Sequence, residues 1–218
     1  MAPRAKKQAD GALCQALVSY GEYHAHPANQ LIHLVCVPAL LFTLLVALAY
    51  APAPPLLLPL PLALSSYFSF WPLTVTLAYC AYYTCALDPF AGACWSALVG
   101  LPLCAGACHF FAALGPAAAW RWAAITHALS WALQIGPGHA YFERRRPALV
   151  DSFWQAIATA PLFVFVEVLF ALGWNGALRE RVGKGVAAGL KKEQQRRQEQ
   201  QQETTRTTPT RRRTAARA

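Results

Sequence analysis

The sequence predicts an all-α fold: a polytopic membrane helical bundle of four to six membrane segments, followed by a disordered basic C-terminal tail. Three observations predict it. Hydrophobic residues make up 56% of the 218-residue chain and charged residues only 13%, against roughly 25% in soluble domains. Long apolar runs recur from Gly11 to Asn175, punctuated by proline- and glycine-rich breaks. Most Lys and Arg lie at the two ends, and such residues mark the cytoplasmic flanks of membrane proteins.

Taken in order, residues 1–13 are a polar, basic leader without the apolar core of a signal peptide. Insertion is therefore expected to rely on the first membrane helix itself. Residues 14–30 read as a helix or helix–turn at the membrane surface, where Pro27 suits a first helical turn. The run Leu31–Tyr50 is about 20 residues, enough to cross a hydrocarbon core at ~1.5 Å per residue. His33, near one end, is its one strongly polar member. The stretch "APAPPLLLPLP" (51–61) is too dense in proline to continue a helix and reads as a turn or kink. A second apolar block, Leu62–Leu87, ends at Asp88-Pro89, and a third, Phe90–Leu114, at Gly115-Pro116. A fourth, Ala117–Ile135, is closed by "GPGH", and a fifth, Phe153–Trp174, carries Pro161 and Glu167.

The domain reading is a leader (1–13), an integral membrane domain (14–178) and a tail (179–218). The tail holds twelve Lys/Arg and four Glu, a net of +8 out of the chain's +9. It lacks apolar periodicity, so disorder is expected, with its charge drawn to anionic lipid on the cytosolic side. No base-stacking aromatics interleave the charges, and no nucleic-acid partner is expected. Orientation raises a conflict. The leader, the loop Arg144–Arg146 and the tail are all basic, yet one apolar run, 153–174, separates the last two. That run is expected to be bent, at Pro161, and not to span.

The seven cysteines are odd in number and form no C-x-x-C pair, so they read as small buried hydrophobes rather than a disulfide framework or a zinc site. The histidines carry more. His24, Asn29 and His33 form H-x4-N-x3-H, and His127, Trp131, Gln134, His139, Phe142 and Glu143 form H-x3-W-x2-Q-x4-H-x2-F-E. Imidazole suits iron, zinc, copper and nickel, and without cysteine ligands or a carboxylate cluster Fe(II) or Zn is favoured. On unbroken helices His24 and His33 would stand about 13.5 Å apart, and His127 and His139 about 18 Å apart. A shared site therefore needs bends, which Pro27 and Gly136-Pro137-Gly138 are expected to supply. A metal site, a haem between two histidines and plain structural histidines all remain open on the residues alone.

The pairing of "YHAHPANQLIHLVCVPALL" with "HALSWALQIGPGHAYFERRRPAL" resembles the iron-dependent 2-hydroxy fatty acid dioxygenases, a membrane family whose best-known member acts in fungal phytosphingosine breakdown in the endoplasmic reticulum. The resemblance covers roughly residues 14–175. It implies functional, metal-binding histidines at His24, His33, His127 and His139, with Asn29, Gln134, Glu143 and Pro147 as accompanying residues. His26 and His109 are not carried over. One departure is Gly136-Pro137-Gly138, where the family more usually has an aromatic or aliphatic residue and a single glycine. The implied cofactor is Fe(II), and the implied partners are a long-chain 2-hydroxy fatty acid, O₂ and membrane lipid. The implied reaction is α-oxidation to a fatty acid one carbon shorter, with CO₂ and water. Its atoms balance without an added reductant, and the chain has no glycine-rich dinucleotide loop. Asn29 and Gln134 are expected to orient ligands or the substrate carboxylate, and Glu143 to accept a histidine N–H. The rival readings are a bis-histidine haem electron carrier and a lipid-binding or transport protein without chemistry.

Overall fold

The computed structural model describes residues 3–54, 67–144 and 153–207. Within them the chain is all-helical, with no strand. The helices are α1 (Pro3–Gly21), α2 (Pro27–Leu48), α3 (Phe70–Ala81), α4 (Pro89–Trp95), α5 (Leu101–Leu133), α6 (Phe153–Ala171) and α7 (Gly176–Thr207). Three π-helical segments, Tyr82–Leu87, Ser96–Gly100 and Gln134–Glu143, extend α3, link α4 to α5 and extend α5.

Local chemistry sets the helix starts. Pro27 occupies the first turn of α2, where its missing N–H costs nothing, and the His26 ring caps the turn by accepting from the Ala28 N–H at 3.1 Å. Asp88 does the same for α4, accepting from the Ala91 N–H at 2.8 Å ahead of Pro89. Gly115, with φ 70° and ψ 164°, breaks α5 before Pro116, in a backbone region open almost only to glycine.

Contacts along α2 fix the directions of travel. Trp71, at the start of α3, donates to the Pro52 carbonyl just beyond the end of α2. The Tyr50 ring packs on Phe111 before the Gly115 break and on Trp120 after it, and its hydroxyl donates to the Pro116 carbonyl. From there α5 returns antiparallel to α2: Thr43 meets His127, and Glu143 meets the His26 N–H at 2.7 Å. Leu13 and Leu17 of α1, Leu45 and Val46 of α2, Tyr83, Trp95, and Leu162 and Val166 of α6 form one buried core.

Two helical stretches among the described residues are long and apolar enough to cross a membrane, Pro27–Leu48 and Pro89–Glu143. The expected four to six segments are not confirmed by these two; the third and fourth blocks run as one helical stretch folded at Gly115. The second block is described only from Tyr67 onward. The α6 helix holds the shorter apolar stretch Ile157–Ala171 and continues through Pro161 without a break.

The tail differs from its expectation. Residues 176–207 form one helix where disorder was expected. Good helix formers dominate it, ion pairs Glu180–Lys184 and Glu193–Arg197 stand at i,i+4 spacing, and glycine lets it approach α1: a side chain at Gly185 would meet Val18 at 2.5 Å. The segment beyond 207 lies outside the described residues, as do most of the proline-rich break, Arg145, Arg146 and Pro147.

Candidate metal centre

The first histidine segment does not bend at Pro27, which lies inside α2. It bends across Glu22–His26, the connection between α1 and α2. His24 sits in that connection and His33 lies two turns into α2, so the chain reversal removes the axial distance that a single helix would impose. The Gly136-Pro137-Gly138 stretch is not a break. It lies within the π-helical segment that continues α5. The wider π turn, a feature frequent at functional sites, swings His139 toward α2.

Three imidazoles therefore meet. His24, His33 and His139 are all buried, and one ring nitrogen from each lies within 4.8 Å of the others. Their ring centroids are 4.3 Å apart for His24–His33, 4.9 Å for His24–His139 and 5.2 Å for His33–His139.

The hydrogen bonds decide the tautomers. His24 Nδ1 lies 3.0 Å from the Tyr20 carbonyl, and His33 Nδ1 lies 3.0 Å from the Asn29 carbonyl. A carbonyl only accepts, so both Nδ1 atoms carry the proton and donate it. Both Nε2 atoms are then bare in the neutral rings, and they face each other at 3.1 Å. Burial first, and then the neighbouring His33, pushes the pKa of His24 down to about 2, so this ring is neutral at ordinary pH. Two lone pairs held this close repel unless a cation lies between them. His139 adds a buried Nδ1 with no hydrogen-bond partner among the described residues. This donor set fits a metal ion that favours imidazole, and three ligands leave coordination positions open. It does not fit a haem gripped by His24 and His33, whose facing nitrogens would have to admit a macrocycle and two coordination bonds, each ~2 Å.

His127 is not in this cluster. The Trp131 indole, which only donates, gives its N–H to His127 Nε2 at 3.0 Å. The His127 Nδ1–H then donates to Thr43 Oγ at 2.8 Å, and the Thr43 hydroxyl donates to the Leu40 carbonyl at 3.0 Å. Both ring nitrogens are occupied. His127 and His139 lie on one uninterrupted helical stretch, α5 and its π-helical extension, so no chain reversal brings the two rings together. The expected fourth ligand instead lines the far part of the neighbouring cavity.

The accompanying residues surround the cluster. Asn29 is fully buried. It presents its carbonyl to His33, donates its amide to Glu143 Oε1 at 3.2 Å and turns Oδ1 toward the Cα of Gly138, where a Cβ would strike it. Glu143 accepts from the His26 backbone N–H and the Asn29 amide rather than from a histidine ring. It ties the last turn of the π-helical segment to the first turn of α2. Gln134 is buried, donates to the Ser130 carbonyl at 3.1 Å and lines the cavity. His26 caps α2 and stacks on Phe142.

Sequence reasoning missed Tyr20. Its ring stacks on His24 at 3.8 Å and on Phe163 at 4.0 Å, and its buried hydroxyl has no hydrogen-bond partner among the described residues. Burial, with Glu167 adding to it, raises its pKa well above the usual phenol range. The available signal was its placement four residues before His24, at the end of α1. The cluster opens into a cavity of about 320 Å³ walled mainly by Val37, Leu40, Leu41, Leu44, Ile135 and Ile157.

The profile of the family described as 2-hydroxy-palmitic acid dioxygenase Mpo1-like matches residues 12–172. The chain is 43% identical over 51 residues to the 2-hydroxy-palmitic acid dioxygenase MPO1 of Saccharomyces cerevisiae. That match covers 23% of this chain and 29% of the relative, so less than a third of the yeast protein's length is spanned. No solved structure matches the chain.

Proposed function

The chain belongs to the Mpo1-like family, and from that premise we propose that it is a membrane dioxygenase, dependent on Fe(II), that shortens long-chain 2-hydroxy fatty acids by one carbon. The reaction consumes one O₂ and yields the shorter acid, CO₂ and water. The four electrons that reduce O₂ all come from the substrate. The observation that carries the reading is the pair of bare Nε2 atoms of His24 and His33 facing at 3.1 Å beside the His139 ring, on the lining of a largely apolar cavity.

Bound Fe(II) supplies a Lewis acid and an O₂-reactive centre. The chain's residues do the rest. The carbonyls of Tyr20 and Asn29 fix the His24 and His33 tautomers, so that Nε2 faces the centre without a proton to lose. Glu143 and Asn29 hold the π-helical segment against α2 and so hold His139 in register. Gln134 offers a buried amide beside the cavity for a substrate carboxylate. The apolar walls receive the acyl chain and exclude water. The proposal includes a membrane location, with α2 and the Pro89–Glu143 stretch inserted and the basic C-terminal helix on the cytosolic face of the endoplasmic reticulum; the apolar helices support the membrane part of it.

The test is product analysis. Detergent-purified protein supplied with Fe(II), air and 2-hydroxypalmitate should form pentadecanoate and CO₂ in equal amounts. His33→Ala should abolish both products while the protein stays folded and inserted. A Soret band in purified protein, or an absence of product with intact, iron-loaded protein, overturns the reading.

A further inference from the structure

We propose that the hydrogen-bonded set Trp131–His127–Thr43 is the end wall of the acyl cavity and sets the length of chain the enzyme accepts. The inference rests on the dioxygenase reading for the identity of the occupant, a saturated acyl chain. One cavity is lined at one end by the three-histidine cluster and also by His127 and Trp131. Along α2 the lining runs from His33 past Leu40 to Leu44, and Thr43 lies ten residues beyond His33, roughly 15 Å along the axis.

Between these ends the lining is mostly apolar, Gln134 donating to the Ser130 carbonyl and Tyr79 to the Ile157 carbonyl, so a chain anchored by its head at the histidines runs mainly past apolar side chains until it reaches His127. That far group offers no free hydrogen-bond donor. The indole N–H is spent on His127, the His127 Nδ1–H on Thr43, and the Thr43 hydroxyl on the Leu40 carbonyl. A ring set locked in this way neither binds a polar substrate group nor turns aside easily. It acts as a stop. His127 is thus a positioning residue: it pins the Trp131 ring in place.

The experiment measures kcat/KM for a homologous series of saturated 2-hydroxy acids, from octanoate to lignocerate, on wild type, Trp131→Leu and Leu40→Phe. Binding of the unhydroxylated fatty acids of the same lengths is measured in parallel, so that occupancy is read without turnover. Trp131→Leu shortens the wall and should move the optimum to longer acids. Leu40→Phe fills the middle of the cavity and should move it to shorter ones. Each shift should change the long-to-short ratio by roughly tenfold or more, the usual worth of a methylene in an apolar pocket. An unchanged optimum in folded variants overturns the inference, and Leu40→Phe decides alone if Trp131→Leu does not fold. If wild type turns over no acid while binding still shifts in length with the variants, the length inference stands and the reaction assigned above fails.

Discussion

At the scale of single residues, the centre depends on how each imidazole is held. His24 and His33 are legible in the sequence, because both sit in H-x4-N-x3-H with a helix start between them. What the spacing cannot reveal is which histidines keep a lone pair. His127 and His139 look equivalent as letters, yet Trp131, four residues on and so on the same helical face, occupies His127, while His139 keeps a buried nitrogen without a partner. Thr43, the other half of that arrangement, lies 84 residues away in sequence, and nothing local points to it. Gly138 does not tolerate a larger residue easily. It faces Asn29 Oδ1 with no room for a methyl group. Gly138→Ala should displace Asn29 or the π turn that carries His139 and lower iron affinity about 10–100-fold, the usual cost of losing an outer support. Iron titration against the wild type measures it, and an unchanged affinity would separate Gly138 from the metal centre.

At the scale of elements, the apolar runs gave the helices and the prolines gave their starts, but the breaks were read too literally. Gly136-Pro137-Gly138 looked like a stop and is carried within a π-helical segment. Gly115-Pro116 looked like a boundary and is one, through the positive φ of Gly115. No neighbour crowds Gly115, so the cost of a side chain there is conformational alone. Gly115→Ala should destabilise the protein by about 1–3 kcal/mol and lower its melting temperature in detergent by several degrees, whereas Gly136→Ala, equally uncrowded and without positive φ, should do so far less. Equal losses in the two variants would contradict the strained-turn account. The C-terminal helix was illegible because its composition is that of a disordered segment. Its order comes from i,i+4 ion pairs and from a glycine-lined approach to α1, and the second of these is a tertiary fact.

At the scale of the whole molecule, α2 runs from the three-histidine cluster to an aromatic end built by Tyr50, Phe111 and Trp120. The basic C-terminal helix packs on α1 at the histidine end, where Gly21 adjoins Val186. If α2 crosses the bilayer, a glycosylation tag inserted after Ala53 should be modified and one appended at Ala218 should not. Modification of both, or of neither, would contradict the crossing. The central claim is that three imidazoles from the α1–α2 connection, α2 and the π-helical end of α5 hold one iron. The most direct measurement is iron content of purified protein, per chain, in single alanine variants of the four candidate histidines. The account predicts one iron in wild type and in His127→Ala, and its loss in His24→Ala, His33→Ala and His139→Ala. Iron retained in any of those three, or lost in a folded His127→Ala, would contradict it.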